Sequence, residues 1–317
     1  RLNGVVNSAA EARELAEQLW LKCEQLQADL PSITSSRSPT QLANGNPDLW
    51  KQRYSRAVER GIELVNGGEL HKLVLAVRHT IDLDNRFNPL PLLQRLRRQQ
   101  AGSCRFLWQR EADDVFFGAS PERLLSLRGG WLRSDALAGT AGEGDDGMQL
   151  LRSDKDRREH ELVVDTLTNQ LRQMGLTPCR RRQPQLARHG QLTHLHTPIT
   201  AEVQGRSALS LAEQLHPTPA VAGLPRREAM AWLRTLEPFE RGCYAAPIGW
   251  IDSAGDAELR VAIRCGHARG RHLDLTAGAG LVRGSIAERE RQEVELKLAV
   301  LADQLKLQTS ERNRSIV

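Results

Sequence analysis

Phe116-Phe117-Gly118-Ala119-Ser120-Pro121-Glu122-Arg123-Leu124-Leu125 is the stretch whose reading decides the fold. Val115, Phe116 and Phe117 read as the end of one strand. Leu124, Leu125 and Leu127 resume a strand, which Gly129-Gly130 turns. Gly118, Ala119 and Ser120 are small, so another backbone or a ligand can come close there. Pro121 cannot donate to a ladder and leaves Glu122 at an irregular point between two apolar runs. A carboxylate at a strand break beside small residues suits a general acid facing a cleft. The plainer reading is a surface glutamate paired with Arg123.

Upstream, residues 72–83 alternate as a strand. Leu73, Leu75, Val77, His79, Ile81 and Leu83 share one face; Lys72, Val74, Ala76 and Arg78 share the other. Near its start both faces are apolar, so the strand is covered on both sides and Lys72 needs a partner or a polar pocket. The alternative is a strand-edge lysine reaching water. Residues 105–108 and 115–118 read as paired strands. Two strands are expected in 178–203, a hairpin over 244–251 and 257–264, and a strand over 272–275. That last strand ends in Thr276-Ala277-Gly278-Ala279-Gly280, read as a tight turn whose N–H groups can hold an anion. Either His194 or His196 reads as a structural histidine.

Helices are expected over 8–30, 48–66, 89–100, 153–174, 209–215, 226–236 and 285–305. Residues 31–47 read as a linker and 306–317 as a polar tail. In the 153–174 helix, Glu159 lies one turn before Val163 on the apolar stripe, so it points inward and needs a metal ion or a cation. Glu161 faces elsewhere as a solvated charge. In the last helix, Glu290 precedes Val294 by one turn, and Glu293 and Lys297 lead to Leu301. They therefore extend an inward face. Two inward carboxylates three apart, with Glu159 from another helix, make a hard-oxygen set that suits magnesium. The bland reading of Glu293 and Lys297 is a surface i,i+4 pair.

Composition sets the class. The chain has 317 residues, 40% hydrophobic and 26% charged, which is ordinary for a soluble globular protein. Aromatics are only 4%, so the core rests on Leu, Val and Ala. No run reaches the roughly 18 apolar residues of a membrane helix, and no signal-peptide pattern opens the chain. The net charge of +5 comes from arginines spread over the whole length. Their one dense cluster, Arg180-Arg181-Arg182 with Arg188, has no aromatic beside it to stack a base; it reads as a solvated basic face, not a nucleic-acid site. Five cysteines, an odd number without C-x-x-C spacing, argue for a reducing cytoplasm and against zinc.

S-P-E-R-L (120–124) and L-A-G-T (137–140) resemble motifs of the chorismate-utilising enzymes and, within them, the isochorismate synthases. The resemblance continues through K-L-V-L-A, D-K-D-R-R-E-H-E-L, H-P-T-P-A-V-A-G-L-P-R, E-P-F-E-R-G-C-Y, A-G-A-G-L-V-R-G-S and E-R-Q-E-V-E-L-K, in one colinear order over residues 51–307. It implies an α+β fold: two facing, mainly antiparallel sheets with helices packed outside. It implies a catalytic domain over 51–307, an N-terminal helix and linker over 1–50, and a tail over 308–317. The chain opens at Arg1, and the synthases usually carry a further segment ahead of the matched region. A piece of a longer protein, or a shortened member, is therefore expected, with part of the sheet left open or capped by residues 1–50.

The resemblance also implies roles. Lys72 becomes the base that activates water; burial near other cations would favour the neutral amine such a base needs. Glu122 becomes the acid for the departing hydroxyl. Gly139 and Thr140 pass close to a bound ring, and His216 matches a histidine near that ring. Tyr244 and Arg264 grip a substrate carboxylate, Arg264 with its planar fork. Ala277, Gly278, Gly280 and Lys297 complete the substrate contacts, and Glu159, Glu290 and Glu293 hold Mg2+. Relatives that make aminodeoxychorismate often carry a lysine where Ala138 stands, so its absence favours water as the nucleophile. The expected reaction is conversion of chorismate to isochorismate by a monomer, with a dimer as the alternative. A salicylate synthase, which adds pyruvate elimination, and an inactive chorismate-binding homologue are the competing readings. A quinone, a siderophore and salicylate remain open as the fate of the product.

Overall fold

The computed structural model describes residues 10, 11, 14, 17, 18, 21, 41, 42, 49–83, 85–142 and 147–305. The chain divides into two compact units, residues 1–38 and 39–317. In the first, residues 10, 11, 14, 17, 18 and 21 are helical and exposed, within the expected helix 8–30. The rest of that helix, most of the 31–47 linker and the polar tail lie outside the described residues.

Among the described residues, the second unit carries two seven-stranded sheets in which every pairing is antiparallel. The first sheet contains β1 (Gln41–Leu42), β2 (Lys72–Leu83), β3 (Cys104–Glu111), β4 (Asp114–Ser120), β10 (Gly223–Leu224), β13 (Cys265–Arg269) and β14 (His272–Val282). Its order is β1-β2-β14-β13-β4-β3, with β10 also on β2. The second contains β5 (Arg123–Arg128), β6 (Trp131–Ala141), β7 (Cys179–Arg180), β8 (Gln185–His189), β9 (Leu192–Glu202), β11 (Pro247–Ile251) and β12 (Ala257–Val261). Its order is β11-β12-β5-β6-β9-β7, with β8 also on β9. Seven helices accompany them among the described elements: α1 (Leu49–Asn66), α2 (Pro89–Gln99), α3 (Met148–Arg152), α4 (Asp154–Gln173), α5 (Ala208–Leu215), α6 (Arg226–Leu236) and α7 (Ala287–Leu305). The expected class, facing antiparallel sheets with helices, is the one observed.

Among the described residues two large apolar cores and a small third, Ala141, Leu150 and Leu195, fill the layers. Leu73, Leu75, Val77, Ile81 and Leu83 of β2 pack with Val58 and Leu64 of α1 and with Val294 and Leu301 of α7. Each such side chain contributes roughly 1.5–3 kcal/mol on burial. Ala76 of β2, Phe116 of β4 and Cys265 join Leu124, Leu125, Leu132, Ala136 and Val261 of the second sheet, with Val163, Leu167 and Leu171 of α4. The period of two in β2 therefore decides the site. Its odd residues face the helices, and Lys72, Val74 and Ala76 face the second layer.

The structure corrects several expectations. β14 does not turn at Thr276-Ala277-Gly278-Ala279-Gly280; it runs on to Val282, paired residue for residue with β2. The glycines serve close approach. A Cβ on Gly280 would lie 2.4 Å from Glu159 Oε1 and 2.9 Å from Lys72 Cε, and one on Gly278 would lie 2.9 Å from the Leu75 carbonyl. The expected hairpin stops at Val261, and β13 is an additional strand. Between them Arg264 adopts a left-handed φ of 50°, so it stands off both strands. Residues 178–203 hold three strands, not two, and α3 precedes α4 as a separate turn of helix. Ser153 caps α4, its Oγ accepting from the Asp156 N–H.

Candidate active site

A narrow cleft lies between the layers, with about 550 Å³ of free space counted out to its open mouth. Of the residues the sequence singles out, Lys72, Glu122, Gly139, Thr140, Glu159, Tyr244, Arg264, Ala277, Gly278, Gly280, Glu293 and Lys297 all line it.

Glu122 enters at the strand break. The Ser120 hydroxyl donates to the Val261 carbonyl at 2.5 Å and accepts the Glu122 N–H at 3.2 Å, while the Val261 N–H donates to the Glu122 carbonyl at 3.2 Å. These contacts replace the ladder bonds that Pro121 removes. A Cβ on Gly118 would lie 2.6 Å from the Arg264 carbonyl, so here the small residues admit another backbone. The surface reading of Glu122 fails because Arg123 is engaged elsewhere, with Glu258 at 3.0 Å and Asp135 at 2.7 Å. Glu122 is buried, and its side-chain hydrogen bond comes from the Thr218 hydroxyl, at 3.3 Å. Burial pushes its carboxyl up to about 7, against the pull of Lys72, Thr218, Arg264 and Lys297.

Lys72 stands at the start of β2 with 1% of its side chain exposed, and its Nζ is 3.0 Å from Glu159 Oε1. Its nearest charged partner is thus a carboxylate, where the sequence reading expects a group of cations. Glu159 projects from the first turns of α4, as its stripe predicts. Glu161 is not a free solvated charge; Arg180 Nη2 donates to it at 2.7 Å.

From α7, Glu293 accepts from Lys297 at 2.6 Å and from the Thr140 hydroxyl at 3.1 Å. Lys297 also donates to the Gly278 carbonyl at 2.8 Å, so that carbonyl faces a cation and the expected anion turn is absent. Burial pushes the Glu293 carboxyl up, but Lys297, Lys155 and Thr140 more than offset this and hold it well below the usual carboxylate range. Glu290 lies behind the cleft, 1% exposed, and burial with neighbouring Glu293 raises its carboxyl above the ordinary range. Neither of its oxygens receives a well-aligned hydrogen bond, although Lys155 Nζ stands 3.0 Å from Oε1.

Gly139 lines the cleft and also meets a conformational need. It has a φ of 71° at the register shift between Ala138 and Ala141, where β6 bulges from β9. The bulge aims Thr140 at Glu293. His216 does not line the cleft. Its Nε2 pairs with the Ala245 carbonyl at 2.8 Å, beside Tyr244, at a residue with a φ of 63°.

His194, read from the sequence as a structural histidine, stands at the cleft, a position the sequence reading did not give it. Its Nδ1 bonds to the Gly139 carbonyl at 2.8 Å, and its Nε2 is 3.3 Å from Arg264 Nη2. Burial, then Arg264, keeps this histidine neutral. A neutral ring donating from Nδ1 can accept from Arg264 at Nε2, which orients the guanidinium. The alternation of 192–197 carried a signal, since it placed His194 and His196 on one face, but nothing marked which of the two met the cleft. Burial lowers Arg264 to about 10, still a cation at neutral pH. Lys155 and Thr218 were also passed over.

Arg264, with Tyr244 beside it, can hold a carboxylate. Lys72 and Glu122 can exchange protons with a ligand between them. The carboxylates of α4 and α7 are a hard-oxygen donor set. Among the described residues no three His, Cys, Asp or Glu side chains form a ready-made metal cage. Lysines stand between them. No helix among the described residues is long and apolar enough to cross a membrane.

Comparison with known proteins matches residues 1–306 to the family model described as chorismate binding enzyme. A salicylate biosynthesis isochorismate synthase of Pseudomonas aeruginosa is 36% identical over 284 residues, covering 87% of this chain and 59% of that protein. Isochorismate synthase MenF of Bacillus subtilis is 36% identical over 259 residues, covering 79% and 55%. The chain therefore spans a little over half the length of these curated relatives. Among solved structures, the menaquinone-specific isochorismate synthase MenF of Escherichia coli superposes with a TM-score of 0.76 at 32% identity, covering 90% of this chain and 68% of that one. Anthranilate synthase component I of Streptococcus pneumoniae shares the fold, with a TM-score of 0.75. The chain belongs to the chorismate binding enzyme family.

Proposed function

We propose that this chain carries the catalytic region of an isochorismate synthase, converting chorismate to isochorismate. The observation that carries the reading is the pairing, in one cleft, of a buried lysine with a buried carboxyl whose pKa is about 7. The Lys72 amine, once free of its proton, takes a proton from water as that water's oxygen bonds to ring carbon 2. The ring double bonds shift, and the carbon 4 hydroxyl leaves as water with the proton of Glu122. Lys72 ends as ammonium and Glu122 as carboxylate, and solvent resets both. A carboxyl near pH 7 is half protonated at neutrality, which suits a general acid. Arg264, oriented by His194, and Tyr244 hold the pyruvyl carboxylate.

Glu159 and Glu293, with Glu290 behind them, are the residues that would hold Mg2+. The fit rests on oxygen donors from two helices and on a buried Glu290 carboxylate without a well-aligned donor. Bound magnesium would supply a hard cation for the ring carboxylate of the substrate. The free thiols Cys104, Cys179, Cys243 and Cys265 fit a cytoplasmic setting.

The test is incubation with chorismate and Mg2+ in ¹⁸O-labelled water. Isochorismate with the label in its new hydroxyl is expected. Unlabelled product would remove water as nucleophile, and release of pyruvate with salicylate would favour the competing reading. With added ammonium the product should remain isochorismate, because Ala138 leaves no lysine in that motif; aminodeoxychorismate as main product would overturn the assignment.

A further inference from the structure

Lys155 takes no part in this reaction, yet it stands at the centre of the acidic cluster. Its Nζ is 3.0 Å from Glu290 Oε1, 3.6 Å from Glu159 Oε2 and 3.9 Å from Asp156 Oδ1. Glu159 and Asp156 lie on its own helix, α4, and Glu290 lies on α7, so one ammonium ties the two helices together. The other cluster lysines sit to either side. Lys72 meets Glu159 Oε1, and Lys297 meets Glu293 Oε1. Glu159 therefore divides its two oxygens between two lysines, and Glu290 faces Lys155 alone among the described lysines. Burial disfavours the charged amine of Lys155, but Glu159, Glu290 and Glu293 more than offset it and raise its pKa.

A divalent cation held by these carboxylates must use oxygens that Lys155 now faces. Two like charges cannot share that space without a large repulsion, because burial weakens screening. Lys155 also has a way out. Its side chain is 23% exposed, against 1% for Lys72.

Resting on the magnesium reading, we propose that Lys155 is a built-in stand-in for the metal. In the metal-free protein its ammonium holds Glu159 and Glu290 across the gap between α4 and α7, and it leaves for solvent when a divalent cation enters. The cluster thus keeps its shape without metal, and metal affinity is set by competition with a tethered cation.

The test compares the whole chain with its Lys155→Met variant, which keeps an apolar stem and removes the charge. Mg2+ is titrated calorimetrically into each without substrate, and each is melted with and without Mg2+. Without metal the variant should melt lower. It should bind Mg2+ at least tenfold more tightly, and excess Mg2+ should close the gap in melting temperature. Equal or weaker Mg2+ binding by a folded variant overturns the proposal. Should the variant fail to fold, the wild-type protein still decides, through amine acetylation followed by mass spectrometry. Mg2+ should speed labelling of Lys155, and unchanged or slower labelling overturns the proposal. Mg2+ binding by neither protein would fail the magnesium reading itself and the stand-in with it. Binding by the wild type with no gain in the variant fails the stand-in alone.

Discussion

Glu122 and Glu293 are buried at one cleft and are handled in opposite ways. Glu122 hangs from a sheet irregularity and receives one neutral hydroxyl, from Thr218; burial wins and the carboxyl holds its proton near neutrality. Glu159, Glu290 and Glu293 come from helices and meet three ammonium groups, Lys72, Lys155 and Lys297. There, against burial, Glu293 is held ionised by Lys297, Lys155 and Thr140, while burial and Glu293 raise Glu290 to about 7 despite Lys155. In the proposed reaction Glu122 would thus act as an acid, and the helix carboxylates would hold a cation. The difference lies in the partners, since burial is common to both.

The comparison breaks most visibly at its two chemical ends. Lys72→Ala and Glu122→Gln should each lower kcat by about a hundredfold or more, the loss expected for a general base or acid. Full turnover by either folded variant would remove its role.

Next in size is a pH effect on stability. The folded-state pKa of Glu122 is raised, from 4.5 to about 7, so the folded protein binds this proton more tightly than the unfolded chain. Between about pH 4.5 and just above 7 this group therefore lowers stability as pH rises. Glu122→Gln has no proton to lose, so its stability relative to wild type should improve by up to about 3 kcal/mol between pH 4 and pH 8. Denaturant titrations at both pH values check this; a difference independent of pH would place Glu122 among the ionised carboxylates.

The helix cluster should respond in metal binding. Glu290→Gln should weaken Mg2+ affinity about 10–100-fold, the cost typical of a group behind the first ligands. Calorimetry reads the effect, and unchanged affinity would leave Glu290 a structural residue. The smallest effect belongs to Glu161, two residues from Glu159 but half exposed and paired with Arg180. Glu161→Gln should change stability by less than about 1 kcal/mol and leave Mg2+ affinity alone. A larger change in either would blur the line between inward and outward glutamates.

Periodicity made the cluster legible. Glu159 to Val163 and Glu290 to Val294 are one-turn spacings, and helical geometry turns such spacings into facing directly. The alternation in β2 likewise separated Lys72 from Leu73 and Leu75. The same spacing from Lys155 to Glu159 was available, yet it carried no weight until Glu290 came up against it across the fold. β14 was misread because small residues lie on both its faces, with Glu159, Lys72 and Tyr244 crowding Gly278 and Gly280 on one, and without polar alternation its glycines resemble a turn. Arg264 stands at a strand break set by its own φ, with no proline or glycine to announce it. The Thr218 contact to Glu122 joins residues 96 apart, a pairing that only the closed sheets create.

The central claim is that Glu122 holds a proton up to about pH 7 while Glu293, beside the same cleft, is ionised. Its most direct test is a difference infrared titration of wild type against Glu122→Gln, following the C=O band of a protonated carboxyl. The account predicts a wild-type-minus-variant band present at pH 5 and half lost near pH 7. A difference spectrum in which that carboxyl is already ionised at pH 5 would contradict it.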